Sequence, residues 1–174
     1  MEFEMTQKTS LKLMAGMTVA ALGLSACATT ELQDITAPPI ESKIISKVPV
    51  QKVVTLEART FAYGEDGKRA ELVGIPCKLR NEMFRTAYQT PANVKLPVYG
   101  AETTELDLKC SYKGETKVKT VEVRNLTREN ISKSGSQHGM LGVLIASGVA
   151  AAHGNRPNDD YSYRPPFFTL NEKP

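Results

Sequence analysis

From Gly74 to Gly114 the chain reads GIPCKLRNEMFRTAYQTPANVKLPVYGAETTELDLKCSYKG, and its apolar residues recur at every second position. Ile75, Cys77 and Leu79 fall on one side of an extended chain, followed by Phe84 and Tyr88, then Val94, Leu96 and Val98, then Leu106, Leu108, Cys110 and Tyr112. Successive side chains of a strand point to opposite faces, so a period of two marks strands buried on one side only. Turn formers separate the runs: Asn81 with Glu82, Thr90-Pro91, Tyr99-Gly100 and Lys113-Gly114. Upstream, Val50, Val54, Leu56 and Ala58 share a face before the GEDG turn of Gly64 to Gly67, and Val118 to Val123 supplies a last strand. Short strands at this spacing predict a mainly β fold, a small antiparallel β-sandwich of about seven strands spanning 48–125.

The N-terminal region is of another kind. Lys8 and Lys12 precede LMAGMTVAALGL, and the run closes on Leu24, Ser25, Ala26 and Cys27 before turning polar. The apolar core is about a dozen residues, too short to cross a bilayer and typical of an export signal. Leu24 to Cys27 resembles the bacterial lipobox, which implies a signal peptide over 1–26 and an acyl group on the thiol of Cys27, the first mature residue. Glu2 and Glu4 are unusual in such a leader, so Met5 is an alternative start to Met1. Ala28 is not the aspartate that retains lipoproteins at the inner membrane, which points to the outer membrane facing the periplasm. Residues 27–47, polar with Pro38-Pro39, read as a flexible tether.

About 150 residues remain after such a leader, enough for one domain with a core. Cys77 and Cys110 each lie two residues from apolar neighbours on their own strands, so both side chains point into one core. In an exported protein a disulfide is the default reading, against a zinc site or redox pair that lacks CxxC spacing and clustered histidines. Closing a loop of about 34 residues is worth roughly 3 to 4 kcal/mol.

The Gly74–Gly114 stretch is similar to a domain of small proteobacterial lipoproteins and to PEGA-type and carboxypeptidase-regulatory-type sandwiches. Cys77, Leu79, Asn81, Phe84, Thr90, Pro91, Val94, Leu106, Cys110 and Gly114 match that pattern in order, with Phe84 in place of a tryptophan often seen on the second strand. The resemblance implies a non-enzymatic module of a surface protein.

Residues 126–174 read as a glycine-rich segment and an aromatic tail. On a helix from Gly139 to Ala152, Gly142, Ala146 and Ala150 form a stripe of small side chains beside Leu141, Ile145 and Val149. Such a stripe admits a close neighbour, either the chain's own sandwich or a partner, another copy or a membrane. Tyr161, Tyr163, Phe167 and Phe168, around Pro165-Pro166, offer either a recognition surface or a strand closing the sandwich, and the strand is the reading adopted.

Chemistry is not legible. His138 and His153 are too far apart to share a helix face, Asp159 and Asp160 read as a turn, and Gly135 to Gly142 lacks the Lys-Ser/Thr of a phosphate loop. No catalytic constellation, metal site or cofactor is predicted. The formal charge of +3 is small and the cations are interleaved with acids, so no basic patch is expected and nucleic acid is not an expected partner. The function expected is a non-catalytic, lipid-anchored envelope module acting through an envelope protein partner. The alternatives are a sugar- or peptidoglycan-binding lipoprotein, or a membrane-active oligomer built on Gly139 to Ala152.

Overall fold

Alternating side chains need two sheets to bury their apolar faces, and the computed structural model, which describes residues 32–136 and 148–174, supplies them. One sheet is built on the twelve-residue strand β3 (Lys52–Tyr63), with β7 (Ala92–Val98) on one side, and β1 (Ile40–Glu41) beyond β7. The far half of β3 pairs with β4 (Arg69–Leu72) and, in parallel, with β12 (Phe167–Thr169). The second sheet runs in the order β2 (Lys43–Ile44), β6 (Phe84–Thr90), β5 (Ile75–Arg80), β8 (Leu106–Tyr112) and β9 (Glu115–Val121). A short ribbon pairs β10 (Val123–Asn125) with β11 (Tyr161–Tyr163), and α1 (Leu126–Ser136) leads out of β10.

Between the sheets lie the residues that the period of two selects: Leu79, Phe84, Val94, Leu96, Leu106 and Leu108 are fully buried. Cys77 and Cys110 face one another across β5 and β8 and are bonded, with Cα atoms 4.1 Å apart. Directly opposed residues of an antiparallel pair are close enough for a disulfide to staple one strand to the next. The turns are built as their residues require. Lys113 and Gly114 both take positive φ, 51° and 80°, the backbone of a tight two-residue hairpin. Asn81 folds its carboxamide oxygen back to accept the N–H groups of Met83 and Phe84, both at 3.0 Å.

Both seams of the sandwich are closed by strands that change sheet. At one, β1 pairs with β7 and β2 with β6, and Ser42 makes the corner: its hydroxyl donates to the carbonyl of Lys95 (2.6 Å) and meets the hydroxyl of Thr86. At the other, β10 prolongs β9, β11 pairs with β10, and the chain crosses through Arg164 to Pro166 to join β3 as β12. Arg164 N–H donates to Glu122 O at 3.0 Å and Leu170 N–H to Phe61 O at 2.8 Å, fastening each side of the crossing. Covering seams in this way hides strand edges that would otherwise pair with other chains.

Three expectations change. The sandwich is not purely antiparallel, because β1 and β12 run parallel to their partners. Two- to four-residue strands (β1, β2, β4, β10, β11 and β12) raise the count above seven, and none is long enough to display a period. The boundaries at 47 and 125 also move: 40–44 belongs to the sheets, and Tyr161, Tyr163 and Leu170 belong to the core. From Gln33 the chain is already fixed, since Glu71 Oε2 accepts its N–H (2.7 Å) and Arg59 Nη1 donates to its carbonyl (2.9 Å).

Candidate functional site

Where β10 gives way to α1, the side chain of Asn125 does two things. Its oxygen accepts the N–H of Arg128 at 2.9 Å, capping the helix, and its nitrogen donates to Asp159 Oδ2 at 2.6 Å. Asp159 also accepts from Arg156 N–H (3.2 Å), and its Oδ1 lies 2.8 Å from His153 Nε2. These bonds, that to Asn125 first and that to His153 second, hold the Asp159 carboxyl below the usual carboxylate range. Its neighbour Asp160 points outward to pair with Lys52, while its N–H donates to Thr127 Oγ1 at 2.9 Å. The turn runs from Arg156 to Asp159, whose N–H donates to Arg156 O at 3.1 Å, with Asp160 just beyond it, and Leu126 N–H donates to Asp160 O at 2.7 Å, which locks the start of α1 to the start of β11.

Beside this lock opens a cleft of about 1320 Å³. Val123 to Asn125 and Tyr161 form its floor, and Arg128, Glu129, Ser132 and Lys133 of α1 one wall. The segment from Thr103 to Glu105, with Glu82, forms the other wall. Arg124 crosses the floor to Glu129, its Nε 2.8 Å from Oε1, with a second, shorter bond beside it. That fork pulls the Glu129 carboxyl below its ordinary range. Arg164 pairs with Glu122 at 2.7 Å at the rim, whereas Arg128 makes no ion pair among the described residues. The cleft thus presents fixed charges of both signs and hydrogen-bonding groups, a chemistry suited to holding a polar or charged partner.

His153 and Asp159 have the separation of a base and its orienting acid, yet no serine, threonine or cysteine bonds to either among the described residues. Nor do the described residues bring three metal-binding side chains together.

Of the residues singled out in the sequence, Cys77 and Cys110 sit in the core as a pair. Tyr161 and Tyr163 are not a recognition surface: they are 3% and 1% exposed, and Tyr163 packs edge-on to Phe84 at 6.2 Å. Phe168 is half-buried against the core, and Phe167 is the exposed member at 38%, standing edge-on to Phe61. Residues 148–153 are helical, in keeping with a helix ending near Ala152, and Gly154 follows at φ 65° as helix-terminating glycines do. Within it Ala150 is buried, while Gly142, Ala146 and His138, like Cys27, lie outside the described residues. Arg124, Arg128 and Glu129 were not legible as a site. The signal for α1 was Asn125 as a helix cap, masked by the serines and Gly135 that follow.

Compared with family models, curated proteins and solved structures, the chain matches none of them.

Proposed function

We propose that this protein is a non-catalytic, lipid-anchored module of the bacterial envelope, held by an acyl group on Cys27 at the periplasmic side of the outer membrane. On this reading it works through contacts with an envelope protein at the cleft between α1 and the β10–β11 ribbon. The lipobox-like LSAC tetrapeptide is the main support, and the mainly β, disulfide-stapled fold fits the implied resemblance to sandwich modules of surface proteins. The observation that carries the reading furthest is the length of the leash. Gln33 is fastened by Arg59 and Glu71, and only five residues lie between it and Cys27, a span of at most about 20 Å over six Cα-to-Cα steps. An acyl anchor at Cys27 therefore holds the sandwich against the membrane, where the expected flexible tether would have let it range a few nanometres away.

Metabolic labelling with a fatty acid tests the reading. The wild-type chain takes up label and fractionates with membranes, and Cys27→Ser loses the label and accumulates as unprocessed precursor. Label retained in Cys27→Ser, or a mature N-terminus at a residue other than Cys27, overturns it. In-cell crosslinking from Arg128, which makes no ion pair among the described residues, is expected to trap a protein of the same compartment; a crosslinked product containing cell-wall glycan alone would favour the sugar-binding alternative.

A further inference from the structure

The two outer faces of the sandwich differ in how their charges are matched. On the β3–β7 sheet, Lys95 pairs with Glu41 at 2.7 Å, and Arg59 pairs with Glu57 and Glu71. On the other sheet the outward positions are Lys43 of β2, Arg85 of β6, Lys78 and Arg80 of β5, and Lys109 and Asp107 of β8. None of these five cations makes an ion pair among the described residues.

Register sets like charges side by side: Lys43 opposite Arg85, Arg85 opposite Arg80, and Lys78 opposite Lys109, with Asp107 beside Arg80 the one acid of the group. Directly opposed like charges destabilise a sheet. The expectation that no basic patch forms is thus overturned, because in Lys78-Leu79-Arg80 and in Arg85 the apolar partners turn inward and leave the cations together outside.

We propose that this face lies against anionic phospholipid headgroups of the leaflet that holds the chain's N-terminus, a proposal that rests on the anchored reading above. Two features select a membrane surface over a single small anion or a distant polymer. The cations are spread over four neighbouring strands, a width of about 15 Å at the spacing of strands in a sheet, and do not converge on one point. The segment from Gln33 to Ala37 also lines a shallow pocket together with Gln89, the residue that continues the outward row of Arg85 and Ala87 on β6. Traced back from Ala37, the chain thus passes the rim of this face before Gln33 is fastened to Arg59 and Glu71 of the neighbouring sheet. Polybasic surfaces close to an anionic leaflet gain from each added cation, and the gain is screened by salt.

The test uses the chain from residue 28, made without leader or acyl group; it contains every strand of the fold. Sedimentation is measured with vesicles of phosphatidylcholine alone and with phosphatidylglycerol added. Binding is expected only with phosphatidylglycerol and is expected to fall as salt is raised. Lys78→Gln with Arg80→Gln lowers the partition coefficient on the order of tenfold. Asp107→Asn raises it severalfold, a gain that damage to the fold would not produce. Lys68→Gln with Lys173→Gln, the same loss of charge near the Gly64–Gly67 turn, leaves it unchanged. Equal binding to neutral vesicles, equal loss in the two double variants, or binding to polyglutamate without binding to vesicles overturns the proposal. Fatty-acid labelling separates it from the anchor: label at Cys27 without vesicle binding sinks the face alone, and vesicle binding without label sinks the anchor alone.

Discussion

Arg59 Nη1 stands 2.7 Å from Glu71 Oε1, their side chains are 6% and 3% exposed, and together they bind the N–H and the carbonyl of Gln33. Desolvation opposes the charge on Arg59, but bonds to Glu71 and then Glu57 outweigh it and raise its pKa further. Removing Glu71 leaves the buried Arg59 charge with only the half-exposed Glu57 as its partner, at a cost of up to about 3 kcal/mol. Glu71→Gln is therefore expected to lower the melting temperature by roughly 10 °C and to speed hydrogen exchange at Gln33. The double variant Arg59→Met/Glu71→Leu should recover much of that loss, and a double variant no better than the single one would refute the pairing.

The bond between Cys77 and Cys110 closes a loop over a separation of 33 residues. Replacing both cysteines by alanine is expected to cost about 3 to 4 kcal/mol in denaturant titration. Two titratable thiols in the native, unreduced protein would show that the pair is not formed.

Buried tyrosines separate two kinds of hydroxyl. The hydroxyl of Tyr88 is buried without a partner among the described residues, whereas that of Tyr163 donates to Pro97 O at 3.2 Å. Burial pushes both phenols' pKa values up. Tyr88→Phe is expected to be neutral or stabilising, and Tyr163→Phe to cost about 1 kcal/mol. Tyr163→Ala should cost about 3 to 5 kcal/mol because it empties a site in the core. Near-wild-type stability of Tyr163→Ala would return that side chain to the role of a surface contact.

Asp159 predicts an acid limb. Its folded pKa lies below the unfolded value of about 4, so its contribution is complete above that value and is lost as pH falls through the folded one. Asp159→Asn should be less stable than wild type at neutral pH, with the gap narrowing below about pH 4. Melting curves from neutral pH to strong acid decide it: a gap that stays constant would mean the carboxylate charge plays no part.

How far the sequence carried depended on length. The seven-residue strands β6, β7 and β8 and the six residues of β5 repeat often enough to show a period of two, and the turns at Asn81, Gly67 and Gly114 announce themselves through residues that few other positions favour. A two-residue strand such as Ile40–Glu41 has no period at all; β7 and Ser42 make it a strand. The cleft was illegible for a similar reason, since Glu82, Glu105, Arg124 and Arg164 come from four separate parts of the chain.

By itself the sequence determined the inner faces. Apolar residues at alternate positions can be buried only on one side of a strand, which made the sandwich class and the Cys77–Cys110 pairing readable without coordinates. Tertiary structure alone decided the outer faces and the seams. Whether Lys78 stands beside an acid or beside Lys109 depends on which strands become neighbours and in what register, a choice made by the packing of the core. Nor does the tail's own composition tell a surface aromatic from a core one. Tyr163 is buried because the crossing from β11 to β12 turns it onto Phe84, while Phe167, four residues on, is left half outside.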